Sequence, residues 1–119
     1  MLHILKHRSI ILEIANDEPS RLKGLMFRES IDAHHGMLFQ FEKAGFCAIW
    51  MKNMNFPIDI IWLNQDNKVV DWVDNVQPCP KEVLNCPLYK SRYPAFQVIE
   101  LKAGQRKKLH IQPSQTLKY

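Results

Sequence analysis

The 119-residue sequence predicts an α+β domain made mostly of antiparallel β-sheet, or a partly closed barrel, with one principal helix. Three observations lead to this class. Five to seven short apolar runs follow one another and are separated by turn residues. One segment near the N-terminus carries helix-start signals. No repeat, linker or low-complexity segment divides the chain, whose length suits one domain.

The N-terminal segments predict an opening strand or hairpin followed by the helix. The runs "LHIL" (2–5) and "SIILEIA" (9–15) have the β-branched, alternating pattern of strands. In "NDEPSRLKGLMFRE" (16–29) the Asn-Asp pair can cap a helix, and Pro19 falls where its missing N–H costs little. The helix would bury one stripe, formed by Leu22, Leu25 and Met26.

Five further apolar runs are predicted to be strands: Gly36–Phe41, Phe46–Met51, Ile58–Leu63, Val69–Val76 and Phe96–Leu101. The second run is apolar on both faces, which favours a central, fully covered strand. Asp66 and Asn67 supply a turn between the third and fourth runs. The segment "PCPKEVLNCPLY" (78–89) is expected to be a loop because it holds three prolines. Near the C-terminus, residues 103–112 could form a short helix and 114–119 a closing strand.

Charge and hydropathy restrict the possible partners and compartments. The net charge of +4 and the pI near 9.1 favour anionic ligands slightly. Basic residues cluster only in "KAGQRKKLH" (102–110), and no aromatic ladder interleaves with them, so nucleic acid is an unlikely partner. No run approaches the ~20 apolar residues of a transmembrane segment. We expect a soluble chain with no export signal, and its compartment stays unknown.

The stretch "IWMKNMNFPIDIIW" (49–62) places polar residues inside an apolar hairpin. If the register sets Lys52 opposite Asp59, the two can form an ion pair, and Asn53 or Asn55 would then cap loop backbone groups. We favour this structural interpretation. In the functional alternative, Lys52 and Asn53 donate hydrogen bonds at the lip of a pocket floored by a tryptophan, either Trp50 or Trp62.

Two arginines of the predicted helix offer a second candidate. Arg21 and Arg28 are seven residues apart and would lie two turns apart on one helix face. Gly24 lies between them and indicates a close approach, because glycine costs about 1 kcal/mol in a helix interior. We favour tight packing against a strand, with the arginines bound to carboxylates such as Glu100. The alternative is an arginine pair that grips a carboxylate, phosphate or sulfate.

Cysteine and histidine residues give no metal pattern. Cys79 and Cys86 bracket the proline-rich loop, and their spacing leaves a disulfide or a reduced pair equally open while disfavouring zinc. Cys47 is expected in the core. His34 and His35 lack further ligands at metal-site spacing, so we expect surface histidines, no metal and no cofactor.

Four segments occur in an order that resembles the domain of unknown function 192 family, DUF192: "RLKGLMFRESI", "GMLFQF", "WMKNMNFPIDIIW" and "VIELKAG". The resemblance runs from about Ala15 to the C-terminus, which makes residues 1–119 a single DUF192-like domain. It implies a compact β-rich fold and no established activity. Met54 departs from the family pattern, where threonine is common, and this weakens any polar role at that position.

The resemblance also bears on the cysteines and the compartment. Family members are often exported, and many have cysteines in the same Pro-Cys…Cys-Pro-x-Tyr loop, which matches Cys79 and Cys86. It therefore implies a disulfide in a periplasmic or exported form. Seven candidate ligand residues fall on the family pattern: Arg21, Arg28, Trp50, Lys52, Asn53, Asp59 and Glu100.

Three functions are compatible with these residues. We rank first a non-catalytic binding domain in which cations of the helix and of the hairpin tip converge on an anionic or polar small molecule, a glycan or a peptide. A structural accessory domain that binds another protein ranks second. A small hydrolase or lyase, with Asp59 or Glu100 as the base and Lys52 or Arg21 stabilising negative charge, ranks third, because no nucleophile or base lies next to an orienting group.

Overall fold

A computed structural model describes residues 2–5 and 10–117 of the chain. Its strands and helices, in chain order, are β1 (Leu2–Leu5), β2 (Ile10–Ala15), α1 (Glu18–Lys23), β3 (His35–Gly45), β4 (Ile49–Trp50), β5 (Ile58–Leu63), β6 (Val69–Val76), β7 (Leu88–Tyr89), β8 (Ala95–Lys102) and α2 (Gln105–Lys108). No helix among these residues is long and apolar enough to cross a membrane.

Six strands form one mixed sheet in the order β1-β2-β3-β8-β5-β6. The pair β2–β3 is parallel, because the chain between these strands crosses over through α1, and the other neighbours are antiparallel. The predicted α+β class, mostly antiparallel, is confirmed. Over the described residues the sheet stays open and does not close into a barrel.

The sheet buries an apolar layer on each face, because side chains alternate along every strand. One layer is built on Met37, Phe39, Ile60, Trp62 and Val98. The other is built on Leu38, Ile61, Leu63, Ile99 and Leu101. All six residues of β5 are buried, as expected for a strand covered on both faces.

The principal helix is shorter than predicted. The Asp17 side chain caps it by accepting the Ser20 N–H at 2.9 Å, and Pro19 lies in the first turn. The helix stops at Lys23 because Gly24 has a φ of +46°, and a Cβ there would approach Phe39 Cζ to 3.1 Å. The predicted close approach at Gly24 is therefore confirmed. The predicted buried stripe is wrong in part, since Leu22 is 65% exposed while Leu25 is buried beyond the helix end.

The predicted central strand at Phe46–Met51 is wrong. Only β4 is extended there, and it pairs with β7 in a separate two-stranded sheet instead of with β5. Cys47, with a φ of +41°, interrupts the extended backbone just before β4. Phe46 and Trp50 are exposed, and Cys47 is half-buried rather than in the core.

The remaining predictions are largely confirmed. The opening hairpin β1–β2 and the strands β3, β5, β6 and β8 are present. Asn67 has a φ of +61° in the β5–β6 turn, and α2 is the predicted short helix. The closing strand is reduced to one bridge between Lys68 and Thr116, and residues 118–119 lie outside the described part of the chain.

Candidate functional site

A cavity of about 260 Å³ lies where α1 and β4 meet one face of the large sheet, and we call it the α1–β4 cavity. Its inner wall is buried and consists of Gly24, Leu25, Phe39, Met54 and Glu100. Its outer wall is half-buried or exposed and consists of Glu18, Arg21, Leu22, Lys23, Met26, Phe41, Ala48, Ile49 and Trp50. The helix α1 ends before Gly24, which lines the cavity and faces Phe39 of β3.

Glu100 is the polar group of the inner wall. It lies in β8, one of the two central strands, between Met37 of β3 and Ile60 of β5. Its side chain points to the same face as Val98 and is part of a residue only 4% exposed. Within the described residues, no group donates a hydrogen bond to its carboxyl. The carboxyl oxygens are not among the fully enclosed polar atoms that lack a partner, so the group reaches the surface of the cavity. A buried carboxyl without a partner is unusual, because burial of a polar group is unfavourable unless it is hydrogen-bonded.

Burial also changes the chemistry of this carboxyl group. Loss of contact with water disfavours the charged form and raises the pKa of Glu100 to about 8. Near pH 7 the group is therefore mostly neutral, so it can donate one hydrogen bond and accept others. A neutral acid at the inner end of an apolar cavity can bind a polar group, or it can exchange a proton with one.

Arg21 lies at the outer wall and does not bind Glu100. Its Nη1 donates to the Gln40 carbonyl at 2.9 Å, and its guanidinium stands 5.3 Å from the Phe41 ring centroid. Both contacts hold the arginine against β3. The predicted ion pair between Arg21 and Glu100 is therefore wrong, although both side chains line the same cavity.

Arg28 does not line the α1–β4 cavity. Its Nη1 and Nη2 donate to both oxygens of Glu13, at 2.6 and 3.1 Å, and this fork geometry lowers the pKa of Glu13 and raises that of Arg28. The predicted arrangement of Arg21 and Arg28 on one helix face is wrong, because α1 ends before Arg28. The predicted binding of a helix arginine to a carboxylate is confirmed for Arg28, whose partner is Glu13.

Lys52 and Asn53 line a second cavity of about 260 Å³ beside the disulfide loop, not the α1–β4 cavity. Lys52 Nζ stands 5.2 Å from the Trp50 ring centroid. Asn53 has a φ of +60°, and its carbonyl accepts the Phe27 N–H at 2.9 Å. Asn55 donates to the Arg28 carbonyl at 2.9 Å, which confirms the predicted cap of a loop backbone group.

The predicted Lys52–Asp59 pair is wrong, because β4 and β5 are not hydrogen-bonded to each other. Asp59 is fully buried on the opposite face of the sheet from Glu100. Its carboxylate accepts three backbone N–H groups, those of Asn75, Gly104 and Arg106, at 2.9 to 3.0 Å. Asp59 therefore joins β5 to β6 and to the start of α2 and is fully engaged in the fold.

The two candidate tryptophans differ in exposure. Trp50 is 43% exposed and lines the cavity. Trp62 is fully buried, and its Nε1 donates to the Cys47 carbonyl at 2.9 Å. Of the seven candidate ligand residues, the structure brings three together at the α1–β4 cavity, namely Arg21, Trp50 and Glu100.

A disulfide bond joins Cys79 and Cys86, with the two Cα atoms 5.8 Å apart. The Cys79 N–H donates to the Met51 carbonyl at 3.1 Å, so the bridged loop is attached to the segment that follows β4. In the described part of the chain, no group of three or more His, Cys, Asp or Glu side chains is arranged to hold a metal ion.

Sequence reasoning missed the apolar members of the site, above all Phe39, Phe41 and Met54. The alternation in "GMLFQF" correctly predicts a strand but does not say which face is covered by a helix. One signal for the inner wall was available. Glu100 interrupts the apolar run "FQVIEL", where a charge is expected only with a partner or a function.

The match to a family model decides the relationship, since that model covers residues 3–119. The chain belongs to the DUF192 family. This family is described as uncharacterized ACR proteins, and the resemblance drawn from the sequence segments is confirmed. No curated protein shows significant similarity to the chain.

Two solved structures share the fold of this DUF192 domain. A Sinorhizobium meliloti 1021 protein, described as a "putative transcription regulator", is 30% identical with a TM-score of 0.84 over 98% of this chain and 89% of its own. A Novosphingobium aromaticivorans DSM 12444 protein of unknown function is 21% identical, with a TM-score of 0.81 over 100% of this chain and 93% of its own. The second likeness shows the fold alone.

Proposed function

We propose that this DUF192 domain is a non-catalytic binding domain whose ligand site is the α1–β4 cavity. One observation carries the proposal: a buried carboxyl group, that of Glu100, has no hydrogen-bond partner among the described residues and lines an open, mainly apolar cavity. A ligand with a polar group on an apolar body would satisfy the carboxyl and cover the apolar walls. Small-molecule sites commonly combine such walls with a few convergent polar groups.

The composition of the walls narrows the ligand classes predicted from sequence. Phe39, Phe41 and Trp50 present aromatic surface, and Met26 and Met54 present flexible thioethers. These walls favour an apolar small molecule or a peptide side chain over a glycan. They also disfavour a site built around several cations, since Arg28 and Lys52 are outside the cavity.

The disulfide supports an exported location for this binding domain. Disulfides persist in oxidising compartments and are rare in the cytosol. The Cys79–Cys86 bond also attaches the loop that carries β7, the partner strand of β4, so an oxidising environment would preserve one side of the cavity.

A second candidate is a small hydrolase or lyase in which Glu100 is a general acid. The observation that favours it is the pKa of Glu100, raised to about 8 by burial, which suits proton transfer near neutral pH. The other ionisable residues of the cavity, however, are Glu18, Arg21 and Lys23. All three come from the outer wall, so no described residue orients Glu100 or activates a nucleophile beside it.

Blocking the cavity tests the proposed function. Ala48 is exposed at the outer wall, so Ala48→Trp would fill the entrance without disturbing the core. Ala44→Trp is the matched control, since Ala44 is equally exposed on β3 but does not line the cavity. We would screen n-butanol, n-butylamine, butyrate, N-methylacetamide and short capped peptides by ligand-observed NMR.

The expected result is that at least one probe binds the unmodified protein and the Ala44→Trp variant, and that Ala48→Trp weakens this binding at least tenfold. If no probe binds, or if binding survives unchanged in Ala48→Trp, the cavity is not the ligand site. Turnover of an ester or amide probe that is lost in Glu100→Gln would instead support the enzyme.

A further inference from the structure

We infer that the group recognised in the α1–β4 cavity is an alkylammonium, carried either by a free primary amine or by a lysine side chain of a peptide. This inference rests on the proposed function and specifies its ligand. Two features of the cavity lead to it: the partnerless carboxyl of Glu100 on the inner wall and the aromatic and thioether groups around the path to it.

The carboxyl of Glu100 lacks a cation of its own. Arg21, which lines the same cavity, is held by the Gln40 carbonyl and the Phe41 ring, and burial alone accounts for the raised pKa of Glu100. The ionised form would therefore gain a strong charge-assisted hydrogen bond from an entering ammonium. A neutral ligand would gain only an ordinary hydrogen bond at the same position.

The walls suit the rest of such a ligand. Phe39 belongs to the inner wall, and Phe41 and Trp50 belong to the outer wall, so aromatic surface lines the path of an incoming cation. Arg21 already stacks on Phe41 and Lys52 on Trp50, so a ligand's ammonium would share these two rings with cations of the protein. The inner ring, that of Phe39, has no stacked cation among the described residues. Leu25 and Met54 provide apolar surface for the methylene groups.

The size and the outer charges agree with a small inserted group. A volume of about 260 Å³ is below the roughly 300–1,000 Å³ of sites for drug-sized ligands, which favours a side chain or a short amine. Arg21 and Lys23 at the outer wall oppose the approach of a cation, and Glu18 of the same wall offsets one of these two charges. Both cations can also donate to carbonyl groups. A lysine of a peptide would bring both its ammonium and such carbonyls.

Binding should be coupled to proton release. The ammonium enters with its charge, and the Glu100 carboxyl gives its proton to solvent, so that one proton leaves as one cation binds. The charged groups near this carboxyl are Glu18, Arg21 and Lys23 of α1, and Lys52, whose Nζ stands 5.2 Å from the ring centroid of Trp50 in the cavity wall. Glu13 of β2 is on the same sheet face but is paired with Arg28. His35 of β3 also lies on that face, in register with Ile11. The lining residues of β3 and β4 are apolar.

The test compares n-butylammonium with its neutral isostere n-butanol and with butyrate, by NMR titration of the whole chain between pH 6 and 9. We expect n-butylammonium to bind tightest. Its affinity should increase as the pH is raised, by up to about tenfold per pH unit, and should level off above about pH 8. Glu100→Gln should weaken n-butylammonium at least tenfold and remove this pH dependence while n-butanol still binds. Glu42→Gln, an exposed residue of β3 outside the cavity, should change neither.

Failure of this inference is distinct from failure of the proposed function. If n-butanol or butyrate binds more tightly than n-butylammonium, or if the affinity for the amine does not change with pH, the cavity binds ligands of another class and the inference is overturned. If no probe binds, both proposals fail. Tighter binding of Nα-acetyl-lysine amide, which keeps its side-chain ammonium, than of n-butylammonium supports a peptide source. The reverse order supports a free amine.

Discussion

The carboxyl group of Glu100 is buried in a central strand at a cost in free energy that the surrounding protein does not offset with a hydrogen bond from any described residue. Such a group lowers the stability of the domain whenever it must ionise. Residues of this kind are commonly retained at sites of binding or catalysis, because the ligand supplies the missing partner.

A pH-dependent stability measurement isolates this effect. The folded-state pKa of Glu100 is raised from 4.5 to about 8, so between these values the unfolded chain has lost its proton while the folded protein keeps it. Stability from this group is fully present below about pH 4.5 and decreases as pH rises, by up to about 1.4 kcal/mol per unit, until about pH 8. In Glu100→Gln this decrease should disappear.

Urea unfolding at several pH values between 5 and 8.5 checks the prediction. The readout is the slope of the unfolding free energy against pH. Burial of the glutamine amide changes the unfolding free energy by the same amount at every pH, so it affects the level of the curve but not its slope. Glu42→Gln, exposed on β3, should keep the slope of the unmodified protein. Identical slopes for Glu100→Gln and the unmodified protein would mean that Glu100 ionises normally in the fold.

Among the strands and helices, the junction of β5, β6 and α2 is built around one fully buried side chain, that of Asp59. The Asp59 carboxylate accepts backbone N–H groups from Asn75 at the end of β6 and from Gly104 and Arg106 at the start of α2. These contacts keep α2 against the sheet face opposite the cavity. The junction is therefore a structural site rather than a binding site.

Replacing Asp59 by asparagine should destabilise the domain strongly. The amide keeps one acceptor oxygen but points an NH₂ group at backbone donors, so buried N–H groups lose their partner at about 1–3 kcal/mol each. We expect Asp59→Asn to reduce the unfolding free energy by about 3 kcal/mol, measured by urea denaturation. Asp66→Asn, in the exposed β5–β6 turn, should change it by less than about 0.5 kcal/mol. Equal stabilities of the two variants would contradict this role.

The same strands and helices show what the sequence could predict. Strands β3, β5, β6 and β8 were predicted because their apolar pattern is local and has a period of two. The length of α1 was not, because the helix ends at Gly24 with a φ of +46°, and the close approach that excludes a side chain there involves Phe39, a residue of a strand that follows later in the chain. The apolar run around β4 predicts a central strand. In the structure the positive φ at Cys47 and the pairing of β4 with β7 keep this segment separate from the large sheet.

The candidate site was predictable only in part, because a sequence pattern shows single residues but not which distant residues meet in the fold. Three predicted ligand residues do meet at the cavity: Arg21, predicted as half of an arginine pair, Trp50, predicted as one of two possible pocket floors, and Glu100, predicted as a carboxylate partner or base. Their convergence depends on the crossover between β2 and β3 and on the position of β4, neither of which has a local signature. Arg28 and Lys52 were expected to join them. Arg28 instead binds Glu13 outside the cavity, and Lys52 lines the neighbouring cavity and contacts the site through the Trp50 ring.

Across the whole molecule, the positive charge is dispersed. The net charge is +4, and the basic cluster around α2 is partly neutralised because Arg106 binds Asp74, with Nη2 and Oδ2 2.7 Å apart. Arg106 also stacks on Trp72, at 5.2 Å from the ring centroid. The helix α2 spans only Gln105–Lys108, too short to present a row of side chains to a DNA groove. The exposed lysines of this cluster in the described part of the chain are Lys102, Lys107 and Lys108, and so few cations can release few counterions from a nucleic acid.

We therefore predict weak binding to duplex DNA, with a dissociation constant above about 10⁻⁴ M near physiological salt, the upper end of the usual non-specific range. Fluorescence anisotropy with a labelled duplex measures it, and the charge-reversed variant Lys107→Glu/Lys108→Glu should give the same weak signal. Micromolar binding that falls steeply with salt and is lost in the double variant would instead make the α2 surface a nucleic-acid site. Because this surface and the α1–β4 cavity lie on opposite faces of the sheet, such a result would leave the cavity's ligand to be determined separately.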